Sequence, residues 1–477
     1  MKTPTFLAGL ILVAGVVSCT SDSPNAPVTS SETFTVCHNG PSGSSLVEIP
    51  ASELLHHWAD GDYVAKLIVD KQGKAGDGIH YARITDALAG ARAVRISRDE
   101  LQAGSCRITI SVAPGTFTGS VTATSDPTLE QFPLVVDVPD ISIIGSSKMQ
   151  DGADGRAAGT SEGGVTTTLA PTTGLLNLQQ GLDEIIMLVN GHPGGSAGNG
   201  ADIEGLVFQS GHVDVDNVKG GVGIWSMRVD RLVIKGNRFE PSFTSAIDLR
   251  ATTATVEKNY VSGGAACDIC LAGPGTYTAT GNRILGGGID GILVQPVVFF
   301  PAPPNVEPYA LPSSAAVAAT IVNNEVRDHL QKPAGVGVRL ATIGFGAPNV
   351  PTSAKLDVRD NNLVNNTFGL HVEAGFPLAN TTLRGDADVS LKGNSITQSC
   401  QRDLLVVFTR HSTALGAGQP TRPYVRNSVY KISLGGDLRW EDAWYSDPAG
   451  FGNSLTVDGT EIPNGARLAY DAARTCT

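Results

Sequence analysis

From about Gly223 to Leu405 short apolar strands alternate with polar positions and recur at a basic spacing of about 22 residues. The first strand of each phrase reads Gly-Ile-Trp-Ser-Met from Gly223, Ala-Ile-Asp-Leu-Arg from Ala246, Asp-Ile-Cys-Leu from Asp268 and Gly-Ile-Leu-Val-Gln from Gly291. Later copies are Gly-Val-Arg-Leu from Gly337, Gly-Leu-His-Val-Glu from Gly369 and Asp-Leu-Leu-Val-Val from Asp403. A second β-branched strand follows each, and then a bend: Gly236-Asn237, Lys258-Asn259, Gly281-Asn282, Asn323-Asn324, Asn361-Asn362, Gly393-Asn394. Gly and Asn tolerate left-handed backbone angles, so each strand can end in a tight corner. A unit this short buries its apolar alternation only by stacking on identical units, which predicts an all-β solenoid of parallel coils.

The phrases Val256-Glu-Lys-Asn-Tyr260 and Ala279-Thr-Gly-Asn-Arg-Ile284 resemble coils of the right-handed parallel β-helix, pectin-lyase-like superfamily. Upstream, the amphipathic stretch Ile84–Arg92 precedes Ile108-Thr-Ile-Ser-Val-Ala-Pro-Gly-Thr-Phe117 and Val138-Pro-Asp-Ile-Ser-Ile-Ile-Gly145. That order is similar to the family's start, where a helix caps the open end of the solenoid. The resemblance covers roughly Ile79 to Arg410 and implies a right-handed helix with an N-terminal capping helix. It says little about activity, because the superfamily holds lyases, hydrolases, epimerases, adhesins and inert scaffolds.

The 56 glycines, 6% aromatic and 17% charged residues suit stacked β-coils with many turns. A net charge of −12 without a Lys/Arg cluster argues against nucleic acid, and handicaps binding of an acidic polysaccharide unless a local cation reverses the field. Lys2 followed by the apolar run Phe6–Val17 reads as a signal peptide too short to span a bilayer. Val16-Val17-Ser18-Cys19 resembles a bacterial lipobox, which implies lipidation of Cys19 and an envelope lipoprotein; an ordinary secretory signal with a chance cysteine is the alternative. The expected organisation is signal and lipobox 1–19, tether 20–33, a small Cys-His module 34–75, the solenoid 76–425 and a C-terminal cap region 426–477.

Six further cysteines in an oxidising compartment favour disulfides. A Cys267–Cys270 bond is not expected on one strand, since residues three apart point to opposite faces, and the C-x-x-C spacing has no redox or zinc context. Cys37, His38, His57 and Asp62 fit the pattern of a short Cys-His module, similar to one near the start of some secreted bacterial proteins, whose donors suit zinc or copper. The alternative is a disulfide from Cys37 beside surface histidines.

If Ile247/Leu249, Ile269/Leu271, Val338/Leu340 and Leu370/Val372 point inward, alternation sends Asp248, Arg250, Asp268, Gln295, Arg339, His371 and Glu373 outward, with Trp225 one coil earlier. In lyases of the resembled superfamily such a face carries substrate. By that resemblance Asp248 and Asp268 would hold calcium, and Arg250 or Arg339 would act as base or neutralise a carboxylate. His371 with Glu373 is a second acid/base pair. Enlarged turns stack at one phase of successive coils, at Pro296–Ser314, Thr342–Ser353, Gly375–Asp386 and Thr409–Pro423, where repeat proteins place binding. The first offers Phe299, Phe300 and Tyr309 as an aromatic wall. The chain lacks the Arg-x-Pro-x-x-Arg phrase of pectate lyases and the paired aspartates of polygalacturonases, and so departs from both. Two readings stand: an exported lipoprotein that binds or cleaves polysaccharide in a groove on the outward face, and a scaffold or adhesin that displays loops to a surface protein.

Overall fold

The computed structural model describes residues 33–71, 77–97, 106–120, 126–171, 185–190, 198–210, 221–241, 243–296, 315–330, 335–343, 350–375, 384–408, 425–436, 443–446 and 452–462. The lipobox, residues 20–32 of the tether and most of the four enlarged turns lie outside them.

Each coil contributes one strand to each of three long sheets. In one coil Ser245–Arg250 is followed by Thr253–Glu257 and Tyr260–Ser262, and Cys267–Ala272 then begins the next. Strands equivalent to Thr253–Glu257 build a sheet of fourteen strands among the described residues (sheet I). Those equivalent to Tyr260–Ser262 build one of ten (sheet II), and those equivalent to Ser245–Arg250 another of ten (sheet III). Neighbouring coils pair in parallel and in register, as in Ile247↔Ile269, Ile292↔Val338 and Val338↔Leu370. The chain is thus a right-handed parallel β-helix whose single core is the stacked interior of all three sheets.

The bend between sheets I and II takes the expected left-handed angle at its first position, including Gly236, Gly281, Asn323 and Gly393, but not at the asparagine that follows. Left-handed φ falls on the residue before the asparagine, at Gly236, Lys258, Gly281, Asn323, Asp360 and Gly393, and on none of the asparagines that follow them. Asn237, Asn259, Asn282, Asn324, Asn361 and Asn394 instead form an amide ladder. Each Nδ2 donates to the next Oδ1, at 3.1, 3.0, 2.9, 3.0 and 3.0 Å, and also to a backbone carbonyl, as Asn259 does to Ile234 at 2.9 Å. Asparagine suits the position because its short side-chain amide accepts through Oδ1 and donates twice through Nδ2, so one residue serves both the stack and a backbone carbonyl.

At the N-terminal end the helix Ile84–Ser97 packs Ile84, Ala87, Leu88 and Ala91 onto the coils. Its first turn is held by Glu130, which accepts from the Ile84 and Thr85 N–H groups at 2.7 and 2.9 Å. Arg95, wholly buried, donates to Tyr63 Oη and the Cys106 carbonyl. Ahead of the helix, strands Thr33–Gly40, Gly43–Pro50 and Tyr63–Val64 form a small sheet of their own, tied to the solenoid by a Cys37–Cys106 disulfide.

Candidate functional site

Sheet III strands turn a corner at their second residue. Register partners skip that position in coil after coil: Val222 pairs with Ser245 and Ile224 with Ile247, but Gly223 and Ala246 are not partners. A Cβ at Gly291 would meet Val326 at 2.2 Å, so this position faces the interior corner against sheet II. The third and fifth residues also point inward, and Ile247, Leu249, Ile269, Leu271, Val338, Leu340, Leu370 and Val372 all belong to the core. The outer face is therefore made of positions one, four and six.

Two expectations change. Asp268 occupies the corner position, fully buried, where its carboxylate accepts from His329 Nε2 at 2.8 Å and the Gly264 N–H at 2.8 Å. The residue beside Asp248 in the next coil is Cys270. Asp248 and Asp268 thus stand in different columns with other partners, and are not a calcium site. The same corner brings position one back over position four, and Cys267 is bonded to Cys270 with Cα atoms 5.7 Å apart. The opposite-face rule holds for a straight strand only. Cys400 is disulfide-bonded as well.

Along the outer face, Ile185, Leu188, Val222, Trp225 and Met227 form an apolar patch over the early coils. Asp248 and Arg250 follow, then the disulfide. Asp290, Arg339, His371 and Glu373 come next, flanked by a second patch of Val336, Phe368, Leu405 and Val407. The charged residues were expected to face water. They are instead buried, with Asp248, Arg250, Asp290, Arg339, His371 and Glu373 all between 0% and 8% exposed.

Burial forces pairing. Arg250 donates to both Asp248 oxygens, at 3.0 and 2.5 Å, and its guanidinium lies 5.3 Å from the Trp225 ring centre. Arg339 Nε lies 2.7 Å from Asp290 Oδ1, and its Nη1 is 3.1 Å from Glu373 Oε1. His371 Nε2 is 3.7 Å from the other Glu373 oxygen. Desolvation, and then the negative charge of Glu373, push Asp290 up to about 7 against the pull of Arg339. Burial would lower the Arg339 pKa, but the two carboxylates outweigh it and raise it. Arg339 is thus neutralised within the cluster and is not a spare cation for an acidic ligand, as sequence reasoning had it. Asp290, the centre of this geometry, was missed; the signal was its place in the slot of Ser245 and Cys267, one residue ahead of the glycine from which the phrase was counted.

A hollow of about 740 Å³ on the outside of sheet I is lined by Thr276, Ala318, Lys355, Asp388 and Lys431 among others. Its walls are alternating surface side chains, whereas the convergent buried charges lie on sheet III.

Beside the N-terminal sheet, His38, His57 and Asp62 meet, with Nδ1 of the histidines 2.8 and 2.5 Å from the same Asp62 Oδ2. Burial alone would raise the Asp62 pKa, but hydrogen bonds from His57, His38 and the Asn39 N–H outweigh it and hold the group at about 2. Cys37 does not join them, since its sulfur is in the disulfide.

The family model described as "Right handed beta helix region" matches residues 196–413. No curated protein sequence matches the chain. Among solved structures it is similar to the A-module of mannuronan C-5 epimerase AlgE6 from Azotobacter vinelandii, at 14% identity over 83% of this chain and 91% of that one, with a TM-score of 0.33. It is also similar to a DFA-IIIase from Arthrobacter chlorophenolicus, at 13% identity over 86% and 98%, TM-score 0.43. The Streptococcus pneumoniae surface adhesin PfbA matches at 12% identity over 82% and 90%, TM-score 0.38.

Proposed function

On this right-handed parallel β-helix scaffold we propose an exported, lipid-anchored envelope protein that binds polysaccharide and cleaves it by acid–base chemistry on the outer face of sheet III. One observation carries the reading: Arg339 holds two carboxylates from the coils on either side of it, and one of them, Asp290, takes up a proton near neutrality. Cleaving a glycosidic bond needs a carboxylic acid to protonate the leaving oxygen and a carboxylate to assist on the other side of the sugar. Asp290 suits the first role, and Glu373, with His371 beside it, the second. Elimination of the lyase kind fits less well, because Arg339 is engaged by both carboxylates and the calcium pair does not assemble. Export rests on Lys2, the apolar run Phe6–Val17 and Cys19.

The test is incubation with a panel of neutral and acidic polysaccharides, following reducing ends for hydrolysis and ultraviolet absorbance for unsaturated products. Hydrolysis that Asp290→Asn abolishes while glycan-array binding persists supports the reading. Unsaturated products that depend on calcium would replace hydrolysis with elimination. A scaffold or adhesin is the second reading, favoured by the near-complete burial of every charged group in the cluster. It stands if neither glycan binding nor any product is found. For the anchor, Cys19→Ala is expected to move the protein from the membrane pellet to the soluble fraction; equal recovery in the pellet would sink lipidation.

A further inference from the structure

The small N-terminal sheet carries a donor set that the polysaccharide reading does not use. His38 follows Cys37 on the strand Thr33–Gly40, and the Cys37–Cys106 disulfide pins that strand to the solenoid. His57 lies in the last turn of the helix Leu54–Ala59. The chain then folds back through Gly61, whose φ of 87° favours glycine, so that the Asp62 N–H donates to the His57 carbonyl at 2.9 Å and the carboxylate turns toward both rings. Three backbone elements thus aim two imidazoles and a carboxylate at one point.

The hydrogen bonding there is redundant. Asp62 Oδ1 accepts from the Asn39 N–H at 3.1 Å, and Oδ2 is already bonded to His57. A second imidazole on the same oxygen, from His38, adds little to holding the strand in place. Two nitrogens competing for one carboxylate oxygen is, however, the arrangement that a cation turns into a coordination sphere. The three donor atoms lie within 4.8 Å of one another. The Asp62 side chain is 1% exposed and the His38 side chain 44%, so the floor is closed and one side meets water.

We propose that His38, His57 and Asp62 form a three-ligand site for a divalent transition ion of the zinc or copper class, with the remaining position open on the His38 side. Two imidazoles and one carboxylate are the donors such ions prefer, and three protein ligands plus an open position is the composition of reactive rather than purely structural zinc sites. The present nitrogen–oxygen distances of 2.8 and 2.5 Å are hydrogen-bond lengths. Ligands bound at about 2.0–2.1 Å in a tetrahedron stand roughly 3.3 Å apart, so an ion must move each nitrogen away from the Asp62 oxygen by about half an ångström or more, and each neutral ring moves its Nδ1 hydrogen to Nε2. The half-exposed His38 has room to do so.

The full chain, stripped with a chelator, is titrated by calorimetry with Zn²⁺ and with Cu²⁺, and with Co²⁺ for its visible absorption. One equivalent is expected to bind. His38→Ala and His57→Ala should each weaken it by roughly tenfold or more, whereas His56→Ala should not, because His56 faces solvent beside Asp60. Circular dichroism confirms that each variant is folded. His38→Ala leaves the disulfide and Asp62 in place, so the idea stays testable if His57→Ala unfolds the module. Failure of all three ions to bind, or binding that is unchanged in His38→Ala, overturns it.

Discussion

Arg250 folds back onto Asp248, two residues earlier on the same strand, and covers the Trp225 ring in the preceding coil. The three residues form one buried unit on the outer face, in which the carboxylate neutralises a guanidinium that water barely reaches. Asp248→Ala removes that carboxylate and should cost about 3–5 kcal/mol, as breaking a buried ion pair typically does. Asp248→Ala with Arg250→Met should recover most of the loss. Thermal unfolding of the two variants decides it: a single variant as stable as the wild type would mean that the pair is solvated.

The asparagine ladder makes an unusually specific prediction at Asn259. Its Oδ1 accepts from the Asn237 N–H and Nδ2, and its own Nδ2 donates to Asn282 and to the Ile234 carbonyl. Asn259→Asp keeps the acceptor but sets a buried negative charge against the Asn282 Oδ1 and the Ile234 carbonyl. It should therefore be worse than Asn259→Ala, which leaves the buried groups merely unsatisfied at about 1–3 kcal/mol each. The reverse order of melting temperatures would sink the ladder as a stabilising element.

Asp290 should make stability fall with rising pH. In an unfolded chain the carboxyl ionises near 3.8, whereas burial first, and Glu373 second, raise it to about 7 in the fold against Arg339 and His329. Between those values the folded state keeps a proton that the unfolded state has released. The contribution is neutral below about pH 4, becomes less favourable through the interval and stays unfavourable above 7. Asp290→Asn removes the titration. Its melting temperature should drop less than that of the wild type between pH 5 and pH 8; parallel slopes would contradict the raised pKa.

The Cys37–Cys106 and Cys267–Cys270 disulfides differ in the chain they close. Cys37–Cys106 spans 69 residues and Cys267–Cys270 only three. In the chain-entropy account the first restricts the unfolded state by about 4 kcal/mol and the second by about 2. Replacing Cys37 and Cys106 with Ser should lower the melting temperature more than replacing Cys267 and Cys270, and should also weaken the proposed metal site, because His38 adjoins Cys37. A larger loss from the short pair would point to a role beyond cross-linking.

The sequence alone determined the solenoid, because stacking is local and periodic: each phrase repeats its inward residues at the same spacing, and Ile247, Leu249, Val338 and Leu370 all lie in the core. The capping helix was legible for the same reason, although it runs to Ser97. Only the tertiary structure decided which residues share the outer face. Alternation assumes a straight strand, and the corner at its second residue turned Asp268 inward, placed Cys270 beside Asp248 and made Asp290 an outer residue. The partners that tune these charges lie far apart in the chain, as His329 does from Asp268 at a separation of 61 residues, and Arg339 from both its carboxylates. Insertions between the coils lengthen those separations without changing the stacking, so no spacing in the chain announces the pairs. Burial did the same at Cys37: its neighbours His38 and Asp62 were legible as donors, but whether its thiol was a ligand or half of a disulfide depended on where the first coil brought Cys106.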